Sequence, residues 1–462
     1  MQNIDLICVG KGLRHRPMRE NRQSPTIEVQ EKSMTEEMQD IAVEGAAFAK
    51  KIFDDVREFS KDPVAGVSRQ GYSAVENKVH EYVKEVGKTL GLEEWADAAG
   101  NLFLTLPGEH RDLPAFVTGS HGDSVPQGGN YDGLAGIVAG LTVLWWMRRT
   151  NYTPYRDMSV LVTRMEESSY FGKAYVGTLA MTGKLKPEDL KLRHRTKQQT
   201  LAEAIRESGF DPEACVSGKP LADLKKFGAF IELHIEQGPT LDSNKTKRVG
   251  VVTGIRGNLR HKVVRCIGET AHSGAVNREF RHDAVLATAD FLMRMEKHWI
   301  HRLDREEDLV FTVGVLKTGD SAAIAKVPGL VTFCIDMRSL SMGTLERFHE
   351  VLLSCADKVA KERGVKFEFD QMLRTDPAKL NSGLVARIAT TAAENGIPYI
   401  AMPSGAGHDS AVLTNAGIPS AMIFVANQNG SHNPREEMKL EDFMQGVKLL
   451  WKVAEGFDTE RE

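Results

Sequence analysis

A glycine-rich stretch at residues 116–140, FVTGSHGDSVPQGGNYDGLAGIVAG, carries one histidine and two aspartates directly after a short apolar run. His121 ends that run, Asp123 comes two residues later, and Asp132 precedes the next apolar segment. A phosphate-binding loop would need GxGxxG spacing or a lysine at a helix start, and neither is present. Imidazole and carboxylate groups suit zinc, manganese, cobalt or nickel, although a surface loop with helix-capping aspartates explains the stretch equally well.

Two adjacent glutamates, Glu166 and Glu167, come directly after the apolar run DMSVLVTRM. Neighbouring side chains of an extended segment point to opposite sides, so one carboxylate could bind a metal while the other acts as a general base. The two carboxylates repel each other unless a positive group lies nearby. Taken alone, the pair is also compatible with a solvated surface position, which is the commoner situation.

Three histidines lie farther along the chain. His234 occurs in FGAFIELHIEQG, where it alternates with Glu232 and Glu236 in an otherwise apolar, strand-like run. A hydrogen-bonded core histidine is the usual interpretation of such a position. His432 lies in the loop NGSHNPREE, and His272 lies in GETAHSGAVNREF.

Together these motifs supply five nitrogen or carboxylate donors at strand ends and in loops: His121, Asp132, Glu167, His234 and His432. Five is the ligand count for two tetrahedral metal ions that share one bridging carboxylate and keep positions open for water. A paired site of this kind polarises a carbonyl and lowers the pKa of a water, and it needs a carboxylate that moves the proton. Glu166 is the candidate for that carboxylate.

The composition narrows the class of protein. The chain has 462 residues, a net charge of -4 and no block of like charges, which argues against nucleic acid or an anionic membrane as a partner. Its five cysteines are scattered and form no CxxC pair, which excludes a disulfide framework and a thiolate zinc site and favours a reducing cytoplasm. No apolar run approaches the roughly 18 residues that span a bilayer.

The elements that must position these residues have an α/β pattern. Residues 36–91 have helical periodicity, with Ser73 as a candidate N-cap and Glu76 three residues later. Strand-like runs then alternate with helices, beginning with NLFLTLPG, AFVTGS, LAGIVAGLTVLWWMRRT and DMSVLVTRM. This alternation predicts a sheet with functional loops at its strand ends.

A second region begins near residue 252, with the predicted order β-α-β-β-α-β over about 115 residues. Its third element, DLVFTVGVLKTG, is predicted as one strand. Helix and strand alternation resumes afterwards and ends in a helix from Leu440. We therefore expect a flexible tail at residues 1–35, one domain formed by 36–252 plus 370–462, and an inserted domain at 253–369.

Taken as a set, the motifs resemble one family. GSHGDSVPQGGNYDGLAG, MEESSYFG, ELHIEQG, TAHSG with RHDA, PSGAGHDSA and SHNPREE occur in the order seen in the hydantoinase/carbamoylase branch of the aminoacylase-type dinuclear metallohydrolases. The resemblance implies a phosphorylase/hydrolase-like mixed-sheet catalytic domain with helices on both faces. It also implies a ferredoxin-like inserted domain that serves as a lid and as the surface of a homodimer.

The resemblance implies a role for each matching residue. His121 and His234 would bind one divalent metal ion and Glu167 and His432 the other, with Asp132 between the two ions. Glu166 would be the general base and then the acid, and Asp123 would orient His121. His272 would reach the transition-state oxygen in the partner subunit's site. The implied substrate-binding residues are Gln237, Arg338 and His408, and a planar guanidinium such as that of Arg338 suits a substrate carboxylate.

Departures from the family pattern concern the substrate. Ser168 and Tyr170 replace the usual residues after the glutamate pair, and the run 275–278 after His272 is also altered. Ala325 replaces an asparagine that helps the arginine hold the substrate carboxylate. Loss of such an amide would weaken binding by about 1–3 kcal/mol for an unchanged substrate. The extra positive charge of Arg278 could supply a replacement contact.

The sequence therefore predicts a metal-dependent amidohydrolase that acts on an N-carbamoyl (ureido) amino acid or a related small molecule. A hydrolase of another N-acyl amino acid or of a dipeptide would use the same site, and Ala325 motivates that alternative. A non-catalytic binding protein is the alternative of a different class. It would require the loss of a ligand or of Glu166, and none is lost.

Overall fold

The computed structural model describes residues 25–459 of the chain. The described residues up to Glu44 belong to the first helix, and the described residues from Gly45 onward form one compact unit. The helices are α1 Pro25–Ser60, α2 Ala74–Thr89, α3 Leu134–Arg149, α4 Val176–Met181, α5 Leu201–Glu207, α6 Pro212–Cys215, α7 Ala284–Leu303, α8 Met342–Arg363, α9 Ser382–Glu394, α10 Asp409–Asn415 and α11 Leu440–Asp458. Within the tail expected at 1–35, residues 1–24 lie outside the described range, and α1 begins at Pro25.

The strands fall into two main sheets and one small pair. They are β1 Glu93–Ala96, β2 Leu102–Leu106, β3 Ala115–His121, β4 Met158–Thr163, β5 Phe227–Ile235, β6 Val249–Ile255, β7 Gly257–Ile267, β8 Ala271–His272, β9 Val310–Thr312, β10 Leu316–Thr318, β11 Lys326–Val327, β12 Leu330–Ser339, β13 Lys366–Phe369, β14 Leu373–Thr375, β15 Tyr399–Ser404 and β16 Ser420–Val425. None of the helices in the described residues is long and apolar enough to cross a membrane.

The first sheet is mixed and has the order β1-β2-β4-β3-β5-β16-β6-β15. Its central strands β4, β3, β5 and β16 are parallel, while β2 and β6 run antiparallel to the neighbours β4 and β16. Their side chains are buried on both faces, which explains the continuous apolar runs in the sequence. Because the carboxyl ends of parallel strands meet at one edge, this topology gathers the residues that come after β3, β4 and β5.

Helix α3 lies against these central strands and is itself apolar and almost entirely buried. Gly136 allows this close packing, because a Cβ atom there would lie 2.5 Å from the carbonyl oxygen of Leu233 on β5. The helix therefore begins immediately behind the strand edge. The mixed α/β fold predicted from the sequence is confirmed.

The second sheet contains β10, β12, β7 and β13 in that order, with β14 also paired to β7 and β9 to β12. All of these pairs are antiparallel, and α7 and α8 pack on the sheet over a separate core that includes Phe291, Phe333 and Phe348. The single strand predicted for residues 308–319 is wrong, since β9 and β10 form two short strands. The gap between β9 and β10 lies opposite a register shift in β12 between Phe333 and Ile335. There Cys334 donates its amide hydrogen to the carbonyl of Val315.

Candidate metal centre

The loop between β3 and α3 brings His121 and Asp132 together. His121 is the last residue of β3, and Asp132 lies two residues before α3 begins. Gly133, between Asp132 and the helix, has φ +70°, and a Cβ atom there would lie 2.4 Å from the His121 ring. Only glycine meets both conditions without strain, so its role is to let the helix start against the histidine.

Asp132 lies at the centre of four other side chains. Its Oδ1 is 3.6 Å from Nε2 of His121 and 3.2 Å from Nε2 of His234. Its Oδ2 is 3.3 Å from Nε2 of His432, which is also 3.1 Å from Oε1 of Glu167. Each carboxylate oxygen of Asp132 therefore faces a different group of donors, as a carboxylate shared by two cations would.

The pKa values of Asp132 and His432 are both shifted by their mutual contacts, and Asp132 is shifted toward its charged form. Burial would raise the pKa of Asp132, but hydrogen bonds with three histidines hold it well below its usual range. Hydrogen bonds with Asp132 and Glu167 raise the pKa of His432 to about 11. His121, Asp132, Glu167 and His234 are buried, and His432 is about half exposed at the cavity mouth. A mixed set of imidazole and carboxylate donors fits divalent zinc, manganese, cobalt or nickel.

The rings of His121 and His234 are oriented by hydrogen bonds to their Nδ1 atoms. Nδ1 of His121 lies 3.1 Å from the carbonyl oxygen of Asp123 and 3.3 Å from its Oδ1. Nδ1 of His234 lies 2.9 Å from the carbonyl oxygen of Ile235. A hydrogen on Nδ1 that bonds to these oxygens leaves the Nε2 lone pair as the acceptor, and Nε2 of His234 accepts the Gly133 amide hydrogen at 3.2 Å. This is the tautomer that binds a metal ion.

The loop after β4 places the two glutamates. The carboxylate of Asp123 accepts hydrogen bonds from the backbone amides of Glu166 and Glu167, at 3.0 and 3.1 Å. Met165, just before them, has a left-handed φ of +45°. Burial raises the pKa of Glu166 well above its usual range; His121 opposes this shift, and Glu167 adds to it. A carboxyl group of this kind can hold a proton near neutral pH.

A cavity of about 720 Å³ lies between the candidate metal centre and the second sheet, which forms its opposite wall. Its lining includes His121, Asp132, Glu166, Glu167, His234 and His432. Gln237, predicted to bind substrate, lines it and donates from Nε2 to Oδ2 of Asp132 at 2.7 Å. His408, also predicted to bind substrate, is buried, with its ring centroid 4.5 Å from that of His234 and its Nε2 2.9 Å from Oγ of Ser404. Burial lowers the pKa of His408 well below its usual range, so it is neutral.

Two arginines face the cavity from the second sheet. Arg338, predicted as the carboxylate clamp, bonds through Nε and Nη2 to Asp336 and through Nη1 to the carbonyl of Gly405. Arg260, on the neighbouring strand β7, bonds to Asp336 through Nε alone, and its two terminal amino groups have no hydrogen-bond partner among the described residues. Arg260 was not predicted from the sequence; its signal is the polar alternation of residues 258 and 260 on one face of β7.

Arg260 also lines the cavity together with Tyr175 and Glu166. Burial raises the pKa of the Tyr175 phenol, Glu166 adds to this, and the positive charge of Arg260 acts in the opposite direction. Tyr175, directly before α4, and Arg260, on β7, therefore belong to the wall of the same cavity. A guanidinium with free N–H groups at this position can receive an anionic group of a bound molecule.

A third donor group, Glu232 with His234 and His408, has oxygens and nitrogens close enough for an ion. Its carboxylate is already satisfied, since Oε1 accepts from Oγ of Ser120 at 2.7 Å and Oε2 from the hydroxyl and amide of Ser410 at 2.7 and 3.1 Å. This buried network joins β5 to β3 and to the start of α10, next to His234. The group therefore serves as support for His234.

The structure does not bring His272 to these residues within one chain. His272 is exposed on β8 and is not part of the cavity wall among the described residues. Ala325 lies beside it, because its carbonyl accepts the Ser273 amide hydrogen at 3.0 Å. The alanine therefore accompanies His272 rather than Arg338. Of the two altered positions after the glutamate pair, Ser168 lines the cavity, while Tyr170 packs on His194.

The sequence and the fold are both similar to those of known hydrolases. Residues 117–456 match peptidase family M20/M25/M40. The chain is 33% identical to an N-carbamoyl-L-amino acid amidohydrolase of Geobacillus stearothermophilus, over 87% of this chain and 97% of that protein. It is 32% identical to an allantoate amidohydrolase of Bacillus subtilis, over 84% and 93%. The crystal structure of a hydantoinase/carbamoylase family amidase from Burkholderia multivorans superposes with a TM-score of 0.82 at 26% identity, covering 90% of this chain and 98% of that one.

Proposed function

The chain belongs to peptidase family M20/M25/M40, and from this premise we propose that it is a metal-dependent amidohydrolase of N-carbamoyl (ureido) amino acids or closely related ureido acids. The observation that carries the proposal is the two-sided environment of Asp132, with the buried Glu166 in the wall of the same cavity. The named activities of the relatives in Geobacillus and Bacillus support a ureido substrate. In both activities a non-peptide C–N bond is hydrolysed.

The proposed cofactor is a pair of divalent ions, zinc, manganese, cobalt or nickel. His121 and His234 would hold one, Glu167 and His432 the other, and Asp132 would contribute one oxygen to each. When bound, such ions polarise the substrate carbonyl and lower the pKa of water. The donor types and the low pKa of Asp132 support this assignment.

Glu166 is the proposed proton carrier. It would take a proton from the attacking water and deliver it to the nitrogen that leaves the ureido carbon. Its raised pKa suits both steps, because the carboxyl can hold the proton between them. For an N-carbamoyl amino acid and one water molecule, the products are the amino acid, carbon dioxide and ammonia.

Substrate binding would divide between the two walls of the cavity. Arg338 and Arg260 would hold the substrate carboxylate from the second sheet, and Gln237 and His408 would contact it from the first. Within residues 25–459 the two arginines hydrogen-bond to only one carboxylate, that of Asp336, so one positive charge is left for the substrate. This surplus supports an acid, rather than a neutral amide, as the substrate.

Residues 253–369 are proposed as an inserted, ferredoxin-like lid that also forms a homodimer. An apolar stripe along α7 supports this, since Leu286, Met293 and Ile300 recur every seven residues and are each about half exposed. In the dimer, His272 of each chain would complete the site of its partner. The reducing cytoplasm remains the proposed location, which is supported by the four free cysteines of the described residues.

The deciding experiment is an activity panel run with several metals. The chelated enzyme is reloaded with Zn, Mn, Co or Ni and offered ureido acids, N-acyl amino acids and dipeptides, with Glu166→Gln as the control that keeps its metal. We expect turnover of ureido acids that disappears on chelation and in the variant.

Turnover confined to acyl amino acids or dipeptides would favour the second candidate function, which Ala325 motivates. Activity that survives full chelation would refute the metal mechanism, and a titration with less than one tight metal site would favour a binding protein.

A further inference from the structure

The segment between α1 and α2 lies against both loops of the candidate metal centre. Val67 and Gly128 exchange backbone hydrogen bonds at 3.0 and 2.9 Å. Ser124 donates its amide hydrogen to the carbonyl of Arg69 at 2.8 Å, and its hydroxyl oxygen accepts the Arg69 amide hydrogen at 2.9 Å. The chain before α2 thus runs alongside the β3–α3 loop.

The Arg69 side chain is fully buried and joins the two ends of that loop. Its Nε donates to the carbonyl of Gly122 at 2.9 Å, directly after His121. Its Nη1 and Nη2 donate to the side-chain and backbone oxygens of Asn130 at 3.1 and 3.3 Å, two residues before Asp132. A rigid guanidinium with three directed bonds fixes the separation of the loop ends, which a flexible ammonium would not.

Burial lowers the pKa of Arg69 to about 10, and the nearby charges of Asp123 and Asp132 act against this shift. The guanidinium therefore keeps its charge at neutral pH. An arginine is rarely buried this completely without a binding partner or a structural demand. Here the structural reason is the distance between His121 and Asp132, which the Arg69 bonds to Gly122 and Asn130 hold.

Glu76, in α2, holds the loop after β4, which carries Glu166 and Glu167. It is fully buried; its Oε1 accepts the Met165 amide hydrogen at 2.9 Å, and its Oε2 accepts from Nη1 of Arg164 and from the Tyr72 amide at 3.0 and 2.7 Å. The next two amides along the chain, those of Glu166 and Glu167, are held by Asp123. Glu76 and Asp123 therefore hold three successive amides, the first of them in the left-handed conformation of Met165.

We propose that Arg69 and Glu76 are positioning residues of the metal centre, with Arg69 setting the His121–Asp132 spacing and Glu76 the placement of Glu166 and Glu167. Neither side chain is in the cavity wall, so both act through the residues that they hold. The inference rests on the proposed metal site but not on the identity of the substrate. Groups that orient ligands in this way typically change metal affinity by about 10–100-fold when they are removed.

The Arg69 test measures metal affinity by competition with a coloured chelator, using zinc alone and no substrate. Arg69→Lys and Arg69→Ala should bind zinc at least about tenfold more weakly, and added guanidinium should restore part of the loss in Arg69→Ala. The matched control is Arg248→Lys, whose guanidinium also binds backbone carbonyls, those of Leu241, Asp242 and Asn244, but away from the site. The control should lose stability without losing zinc. Unchanged zinc affinity in folded Arg69→Lys would overturn the proposal, and that variant decides the question if Arg69→Ala does not fold.

The Glu76 test uses Glu76→Gln, whose amide cannot accept at both former oxygen positions. We expect weaker binding of the second zinc equivalent, a lower kcat for any substrate that the wild type turns over, and an unchanged KM. The control is Asp458→Asn, another buried carboxylate that accepts from backbone amides, those of Tyr155 and Arg156. Equal effects in the two variants would show that Glu76 is merely structural. Because zinc affinity is measured without substrate, a failure to find a ureido substrate leaves this result intact.

Discussion

Asp123 accepts the backbone amide hydrogen of Glu166 at 3.0 Å, so the loop after β3 directly holds the loop after β4. The same carboxylate lies 3.3 Å from the ring of His121. One buried aspartate therefore contacts both the proposed metal ligand His121 and the proposed general base Glu166. The sequence suggested only the first of these two contacts.

Substitution of Asp132 should remove both metal ions, whereas substitution of His432 should remove one. Each oxygen of Asp132 faces one group of donors, and His432 faces only Oδ2. Elemental analysis after dialysis should find close to no metal in Asp132→Asn and about half the wild-type content in His432→Ala. Full metal content in Asp132→Asn would contradict a shared carboxylate.

Arg260→Met should weaken substrate binding more than catalysis. A charged hydrogen bond to a carboxylate contributes about 1.5–3 kcal/mol, so KM should rise by about 10–100-fold with a smaller change in kcat. The control is an analogue without the carboxylate, for which variant and wild type should have the same KM. A purely structural role for Arg260 would instead affect the two substrates equally.

The apolar stripe on α7 should control the oligomeric state. Met293 lies at the centre of the stripe and is 56% exposed. A glutamate at this position would place a charge in a dry interface. Light scattering after gel filtration should give a dimer for the wild type and a monomer for Met293→Glu. The control Lys358→Glu, which changes the charge by two units at an exposed position of α8, should leave the dimer intact. A dimeric Met293→Glu would place the interface elsewhere.

Mixing two inactive variants should restore activity if His272 serves the partner's site. Glu166→Gln and His272→Ala should each be inactive, and a mixed dimer has one site with both residues intact. Refolding an equal mixture should therefore give about a quarter of the wild-type activity, since half of the dimers are mixed and each has one working site. Absence of any recovery, in a mixture shown to form mixed dimers, would place His272 in its own chain's site.

Asp97 should make stability fall as pH rises through its folded pKa. Burial raises that pKa to about 6, against hydrogen bonds from Asn101 and Ala99, while the unfolded value is about 3.9. Between these values the folded protein keeps a proton that the unfolded chain has released, so this stabilisation is complete below about pH 4 and is lost through about pH 6. Asp97→Asn should show a flatter Tm in that window. An identical slope in both proteins would refute the assignment.

Much of the candidate site could be predicted because parallel strands end at one edge. His121 and the two glutamates come at the ends of apolar runs that became β3 and β4, and His234 lies within β5. Local sequence is enough to recognise such runs, and the edge of the sheet then gathers the polar residues at their ends. The same reasoning also predicted α3 close to its observed boundaries.

The supporting residues could not be predicted in this way, because arginine and glutamate are usually exposed and their burial depends on distant partners. Ser73 does cap α2 as expected, but the Glu76 carboxylate bonds to Met165, 89 residues away. Arg69 reaches Gly122 over 53 residues. The division of the predicted strand 308–319 likewise depends on the irregularity in its partner β12, which its own residues do not encode.

The hydrogen bond between Ser431 and Asp132 joins residues 299 positions apart and closes the last side of the site. During synthesis, the ribosome therefore releases β3, the glutamates and β5 long before His432 exists. A chain that has not yet reached residue 431 therefore lacks the hydroxyl that donates to Asp132. In the proposed two-ion site, capture of the second ion would therefore follow synthesis of both His432 and β16, the strand beside β5 in the same sheet.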